Sequence, residues 1–90
     1  MLTASDAETI ARKLNAIIKP KSRRHKIAVI RLSGKEVGRF GIRRGSGDLG
    51  HDYVPRQIRV SNQQAQELAD CTLYLADYAL ILRQTGFYPN

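Results

Sequence analysis

Residues 39–60, RFGIRRGSGDLGHDYVPRQIRV, restrict the possible folds of this chain more than any other stretch, because they mix strand-forming residues with backbone breakers. The stretch holds five arginines and four glycines. Its apolar spacing predicts two strands, at 36–43 and 53–60, with a glycine-rich loop at 45–50 between them. Pro55 cannot donate a ladder hydrogen bond, so the later strand belongs at a sheet edge. The stretch therefore predicts an antiparallel pair that displays arginines.

A further strand is predicted just before this stretch. Residues 27–32, IAVIRL, are apolar and rich in β-branched side chains, which is typical of a buried strand. A turn at 33–35 joins this strand to the one at 36–43 as a hairpin. The apolar side chains of 36–43 change face at Gly38, so we expect a β-bulge there. The predicted sheet therefore has three antiparallel strands.

The first helix is predicted at residues 5–18. Ser5 and Glu8 have the spacing of a capping box, in which each side chain accepts from the other residue's backbone amide. Apolar residues then recur every three or four positions and form one stripe. Pro20 should end the helix, since the residue before a proline is pushed out of the helical region.

Two more helices are predicted near the end of the chain. Ser61 should cap a short helix at 63–71, and an almost wholly apolar helix follows at 73–85, with Gly86 as its left-handed cap. The ninety residues suffice for one modest core, so residues 1–90 are predicted to form a single domain. The predicted class is α+β, a three-stranded antiparallel sheet packed by helices on one face, in the order α-β-β-β-α-α.

The charge is concentrated in the middle of the chain. The formal net charge is +7, and residues 12–59 hold fourteen of the fifteen Lys and Arg with only three acids, which makes +11. Such a distribution favours polyanion partners: nucleic acid first, an acidic protein surface second, an anionic membrane third. The alternative is a positively charged domain without such a partner.

The compartment is predicted from cysteine usage and hydropathy. Cys71 is the lone cysteine, so it cannot form an internal disulfide. The first residues do not resemble a signal peptide, and the apolar run near 73–82 is too short to span a bilayer. We expect a reducing, cytoplasmic setting and no membrane partner.

Neither a metal nor a cofactor is predicted. His25, His51, Asp52 and Cys71 do not have the spacing of a zinc site. The glycines near 45–47 precede a loop and a strand, whereas phosphate cradles place their glycines at a helix N-terminus. Left-handed angles in a loop explain these glycines more simply.

The basic residues predict a surface that binds nucleic acid. Planar guanidinium groups can bind two phosphate oxygens at once, and a tyrosine beside them adds hydrogen bonds or base stacking. The alternative is a solvated sheet face that binds nothing. The residues predicted to contact nucleic acid are Arg23, Arg24, Lys26, Arg39, Arg43, Arg44, Tyr53, Arg56 and Arg59.

Catalysis on RNA would need more than charge. Metal-free cleavage needs a general base, a general acid and cations that stabilise the transition-state phosphate. His25 and His51 are the two candidate catalytic residues. A loop histidine can also be an ordinary polar surface residue.

The opening helix from Asp6 to Ile18 and the closing segment LADYALILRQTGF, residues 75–87, carry a family resemblance. With its size, basic charge and predicted topology, the chain is similar to the HicA (YcfA-like) toxins and to the double-stranded-RNA-binding-domain-like fold. The family's Gly-Ser-His-His signature is not matched, because Gly45-Ser46 precedes Gly47. The resemblance implies an endoribonuclease that acts on mRNA through one histidine and is inhibited by an antitoxin partner.

Three functions follow from these patterns. The first is a small domain that binds nucleic acid, RNA favoured over DNA, through an arginine-rich sheet and loop surface. The second is a metal-independent endoribonuclease toxin. The third is a protein-interaction module, which docks an acidic partner or forms a homodimer through an aromatic patch of Tyr74, Tyr78, Phe87 and Tyr88.

Overall fold

The computed structural model describes residues 2–21, 25–43, 51, 53–70 and 72–89. Within them a three-stranded antiparallel sheet has the order β1-β2-β3, and the opening helix and the closing helices flank it in sequence. This arrangement confirms the predicted α+β class with its three-stranded antiparallel sheet. The elements are α1 Ala4–Lys13, β1 Ile17–Pro20, β2 His25–Leu32, β3 Lys35–Arg43, α2 Val54–Ile58, α3 Asn62–Ala69 and α4 Leu75–Thr85.

One predicted strand was wrong. Residues 53–60 do not form a strand; Val54–Ile58 is the short helix α2. Pro55 explains the difference, because it lies in the first turn of that helix, where no backbone donor is needed and its fixed φ suits the helix. The apolar side chains at 54 and 58 fit one face of a helix as well as one face of a strand.

The third strand of the sheet is instead β1, whose first two residues, Ile17 and Ile18, were predicted in the first helix. That helix was predicted at 5–18, but α1 ends at Lys13 and Asn15 takes a left-handed φ of 53°. Its cap is Thr3, not Ser5: the Thr3 hydroxyl accepts from the Asp6 amide, and the Asp6 carboxylate accepts from the Thr3 amide. Ile17 then pairs with Val29 of β2.

The hairpin of β2 and β3 is confirmed. Ser33 and Gly34 both take positive φ, 52° and 76°, as a tight hairpin turn requires. The predicted bulge is confirmed beside Gly38, since Ile30 pairs with Gly38 but Arg31 pairs with Glu36, which leaves one residue extra on β3.

Gly38 also allows α2 to lie directly against β3. A Cβ at this position would lie 2.7 Å from the Gln57 carbonyl oxygen and 3.2 Å from the Ile58 Cα. Both neighbours are backbone atoms that cannot rotate away. The glycine therefore sets how closely the helix approaches the strand.

The buried apolar side chains form one cluster on a single face of the sheet. Ala28 and its partner Phe40 belong to this cluster, whereas Val29, between the core positions of β2, is buried but lies outside it on the other face. Alternation along a strand explains this split. The largest fully buried members are Ile10, Leu14, Ile30, Phe40, Ile42, Ile58, Leu68, Tyr78 and Leu82.

The closing helices agree with the sequence predictions better than the first helix does. Ser61 and Gln64 form the predicted capping box at the start of α3, and Gly86 caps α4 with a left-handed φ of 86°. Tyr78 of α4 is wholly buried, and its hydroxyl donates to the Ile58 carbonyl over 2.9 Å. Burial raises the pKa of Tyr78, so this donor stays protonated.

Cys71 lies outside the described residues. No helix in the described ranges is long and apolar enough to cross a membrane.

Candidate nucleic-acid interface

A basic cleft lies at the end of the β2–β3 hairpin that is remote from its turn. His25 begins β2, Arg43 ends β3, and the two are cross-strand partners. The cleft has a volume of about 520 Å³ and extends from these strand ends to α2. Its lining residues are Lys21, His25, Lys26, Ile27, Arg39, Phe40, Gly41, Ile42, Arg43, Tyr53 and Gln57.

The arginines reach the cleft because of the strand alternation of β3. Phe40 and Ile42 are each 1% exposed and belong to the core, whereas Arg39 and Arg43 are exposed. Successive side chains of a strand point to opposite faces, so a buried residue at 40 places its neighbours on the open face. The predicted outward orientation of Arg39, Gly41 and Arg43 is confirmed.

Two side chains cover the outer edge of β3, where no strand pairs with it in the sheet order. The Arg43 amide donates to His51 Nε2 over 3.1 Å, and the Tyr53 hydroxyl donates to the Gly41 carbonyl. Burial raises the pKa of Tyr53, which keeps its hydroxyl protonated as a donor. These bonds replace those of a neighbouring strand and hold one wall of the cleft in position.

The two histidines have different surroundings. His51 is wholly buried, its ring centroid lies 5.6 Å from that of Tyr53, and its amide donates to the Leu2 carbonyl over 2.9 Å. Since Nε2 accepts from the Arg43 amide, that nitrogen carries no proton. His51 thus supports the wall and does not line the cleft. His25 is exposed and lines it.

The described residues that line the cleft carry positive charge and no negative charge. Lys21, Lys26, Arg39 and Arg43 are among its residues, and no Asp or Glu of the described part of the chain lines it. No ion pair joins Lys21 or Arg43 to an acid of the described ranges. Such a concave, cationic site raises the local concentration of anions.

Arg39 and Lys26 are partly neutralised by acids outside the cleft. Arg39 donates to Glu36 through Nε over 2.9 Å and through Nη2 over 2.6 Å, and this hydrogen bonding holds the pKa of Glu36 below its ordinary value. Lys26 Nζ lies 3.1 Å from Glu8 Oε1 of α1. Lys21 and Arg43 are therefore the better placed of the cations for a ligand.

Arg56 and Arg59 were predicted on a strand beside Arg39 and Arg43, and that placement was wrong. Arg56 is exposed on α2, and Arg59 caps that helix with its guanidinium carbon 4.5 Å from the ring centroid of Phe87. The cleft therefore brings together His25, Lys26, Arg39, Arg43 and Tyr53 of the predicted site. Arg23, Arg24 and Arg44 lie outside the described residues.

Lys21 is a cleft residue that the predicted set of nucleic-acid contacts did not include. The Lys21 amide donates to the His25 carbonyl over 3.1 Å, which closes the connection between β1 and β2 and places Lys21 beside His25. This pairing depends on β1, which was not predicted because the apolar spacing of residues 5–18 fits one continuous helix. The basic run at 19–26 was the available signal for Lys21.

No group of three or more His, Cys, Asp or Glu side chains that could hold a metal ion is found in the described ranges. Comparison with protein-family models, with curated proteins and with solved structures finds no match to this chain.

Proposed function

We propose that this protein binds nucleic acid, with RNA as the favoured polymer, through the basic cleft. One observation carries the proposal: four cationic residues and an exposed histidine line a concave site, and none of the lining residues within the described ranges is acidic. Guanidinium and ammonium groups are the usual partners of backbone phosphates. The resemblance to HicA toxins is the reason for RNA over DNA, and the lone Cys71 is the reason for a cytoplasmic setting.

Within this proposal each part of the cleft has a role. Arg43 at the end of β3 and Lys21 after the end of β1 bind a phosphate from either side of β2, and Arg39 contributes while it also pairs with Glu36. Tyr53 uses its hydroxyl on Gly41, so only its ring is left to contact a sugar or base. The phosphate contacts release counterions, so affinity should fall steeply as salt rises.

The test is oligonucleotide binding by wild type and two charge-matched variants. Arg43→Ala should lower affinity about tenfold and reduce the slope of log affinity against log salt by about one unit. Lys35→Ala removes the same charge about 26 Å away along β3, at the turn, and should change affinity little. Equal losses in both variants, or no binding by wild type near ~100 mM salt, would contradict the proposal.

Metal-independent RNA cleavage is the second candidate function, because His25 is exposed opposite Arg43 in the same cleft. His25 would take the proton of a 2′-hydroxyl as its oxygen attacks the adjacent phosphorus, and Arg43 would stabilise the developing charge. The bond to the 5′-oxygen breaks, and that oxygen takes a proton from water. The expected product is a 2′,3′-cyclic phosphate, formed in the presence of chelator. Cleavage by His25→Ala at the wild-type rate would exclude this mechanism.

An interaction module remains an alternative function, with an acidic protein such as an antitoxin, or a second copy, as partner. Tyr74 and Phe87 are 57% and 47% exposed, but Tyr78 is wholly buried and cannot join the proposed aromatic patch. Tyr88 is half-buried and its hydroxyl shares a 3.0 Å hydrogen bond with Ser33. A monomeric mass in solution would exclude the homodimer.

A further inference from the structure

We propose that the Arg59–Phe87 pair is a stacking platform for a base of a single strand that leaves the cleft along α2. The inference rests on the proposed function and extends it, because it assigns a second contact point and a direction to the bound strand. It is carried by the position of α2, by the geometry of the pair and by the exposure of Phe87.

The first step is the continuity between the cleft and the pair. Along β3, Tyr53 contacts Gly41 near the cleft, and Gln57 lies against Gly38, three residues nearer the turn. Gln57 still lines the cleft, and Arg59 follows two residues later as the cap of α2. Phe87 precedes Tyr88, which is bonded to Ser33 at the hairpin turn, so the pair lies on the side of the cleft nearer the turn.

The second step concerns charge. Helix α2, VPRQI, contains no acidic residue, and Arg56 on it is exposed. With Arg59 at its end, the helix continues the positive potential of the cleft lining. Arg56 and Arg59 thus add positive charge beyond the cleft lining, which favours a nucleic-acid strand over an apolar partner.

The third step is the geometry of the pair. Gly86 turns the chain after α4, and the Phe87 amide donates to the Leu82 carbonyl over 2.9 Å, which holds the residue in place. Phe87 is nevertheless 47% exposed, with the Arg59 guanidinium carbon 4.5 Å from its ring centroid. An aromatic ring and a guanidinium plane are the two surfaces on which unpaired bases stack.

The backbone at Arg59 supports a role for its side chain. Arg59 caps α2 with a left-handed φ of 65°, a conformation that glycine adopts without steric cost and arginine does not. Ending the helix thus does not require this side chain. What arginine adds here is a guanidinium held over the ring.

A second arginine–aromatic pair provides a matched comparison. The Arg83 guanidinium carbon lies 4.1 Å from the ring centroid of Tyr88, whose hydroxyl is bonded to Ser33 at the hairpin turn. Tyr88 follows Phe87 in the chain, so the two pairs are neighbours, but the Tyr88 hydroxyl is occupied by Ser33. The second pair thus has the same chemistry as the Arg59–Phe87 pair, with a ring residue that is less exposed than Phe87.

The experiment measures binding of oligouridylates of three and ten nucleotides, the longer one with a single 2-aminopurine. Phe87→Ala and Arg59→Gly should each lower affinity for the ten-nucleotide probe about tenfold and leave the three-nucleotide probe, which fills only the cleft, unchanged. Phe87→Ala should keep the wild-type salt slope and abolish the fluorescence change that stacking causes. Arg59→Gly accommodates the left-handed φ, so its loss of binding would not reflect unfolding.

Arg83→Ala serves as the control and should bind both probes as wild type does. Equal binding of the longer probe by wild type, Phe87→Ala and Arg59→Gly would overturn the platform while Arg43→Ala still tests the cleft. A loss for Phe87→Ala that is the same with both probes would also overturn it. If wild type binds neither probe, the proposed function itself fails, and the platform fails with it.

Discussion

The two sides of β3 differ sharply although they belong to the same nine residues. On one side Phe40 and Ile42 are buried in the core and Gly38 lies against the backbone of α2. On the other side Arg39 and Arg43 are exposed and line the cleft. The packed side thus fixes the position of the strand, and the open side presents cations at a fixed spacing. Changes on the packed side should cost stability, and changes on the open side should cost binding.

The largest expected effect comes from a substitution on the packed side. Phe40→Ala removes a ring that is 1% exposed and should lower the free energy of unfolding by about 3–5 kcal/mol, because it leaves a cavity in the core. Urea denaturation measures it. Arg39→Ala, one residue away on the open side, should unfold at nearly the wild-type urea concentration. Comparable losses in the two variants would contradict the division between the sides.

A smaller loss of stability should distinguish substitutions at two glycines of the same strand. Gly38→Ala would bring a Cβ to 2.7 Å from the Gln57 carbonyl oxygen, so α2 must shift, and we expect a loss of about 1–3 kcal/mol. In Gly41→Ala the nearest atom is the Tyr53 hydroxyl oxygen at 3.9 Å, an ordinary contact, so stability should change little. Thermal unfolding of both variants compares them directly. Equal stability would show that α2 does not depend on Gly38.

The smallest effect concerns pH on the open side. The pKa of Glu36 is lowered, chiefly by its hydrogen bonds from Arg39, so the pair stabilises the fold above the unfolded-state pKa of glutamate. That contribution disappears as the pH falls through the lower folded pKa. The unfolding midpoint of wild type should therefore exceed that of Glu36→Gln slightly at pH 7, and the difference should vanish once the pH is below the lowered pKa of Glu36. A difference that persists in acid would assign the effect to something other than this pair.

Local signals predicted the hairpin and the caps of α3 and α4, because these depend on neighbouring residues. The Ser33–Gly34 turn and the Gly86 cap need positive φ, which is a local requirement. The alternation at 39–43 also identified the arginines of the open face. These parts of the fold and of the candidate site could be predicted because a period of two does not depend on what packs against the strand.

Two segments could not be assigned from local signals. Ile17 and Ile18 continue the apolar stripe of α1, but both are 46% exposed on β1 and are held there by pairing with β2. Residues 53–60 fit a strand in their apolar spacing and form α2 instead. In both cases the apolar spacing of a short segment fits a helix as well as a strand, and contacts with residues distant in sequence decide which of the two forms. The same contacts bury His51 and expose His25, which residue type alone does not distinguish.

By itself the sequence determined the α+β class, the hairpin, the concentration of charge and the outward arginines of β3, because each follows from composition or from alternation along one element. Only the tertiary structure decided which segment is the third strand, that Lys21 joins His25 in the cleft and that Arg59 lies over Phe87. These facts join residues distant in sequence, and their contacts are selected by burial of the whole core rather than by any local preference.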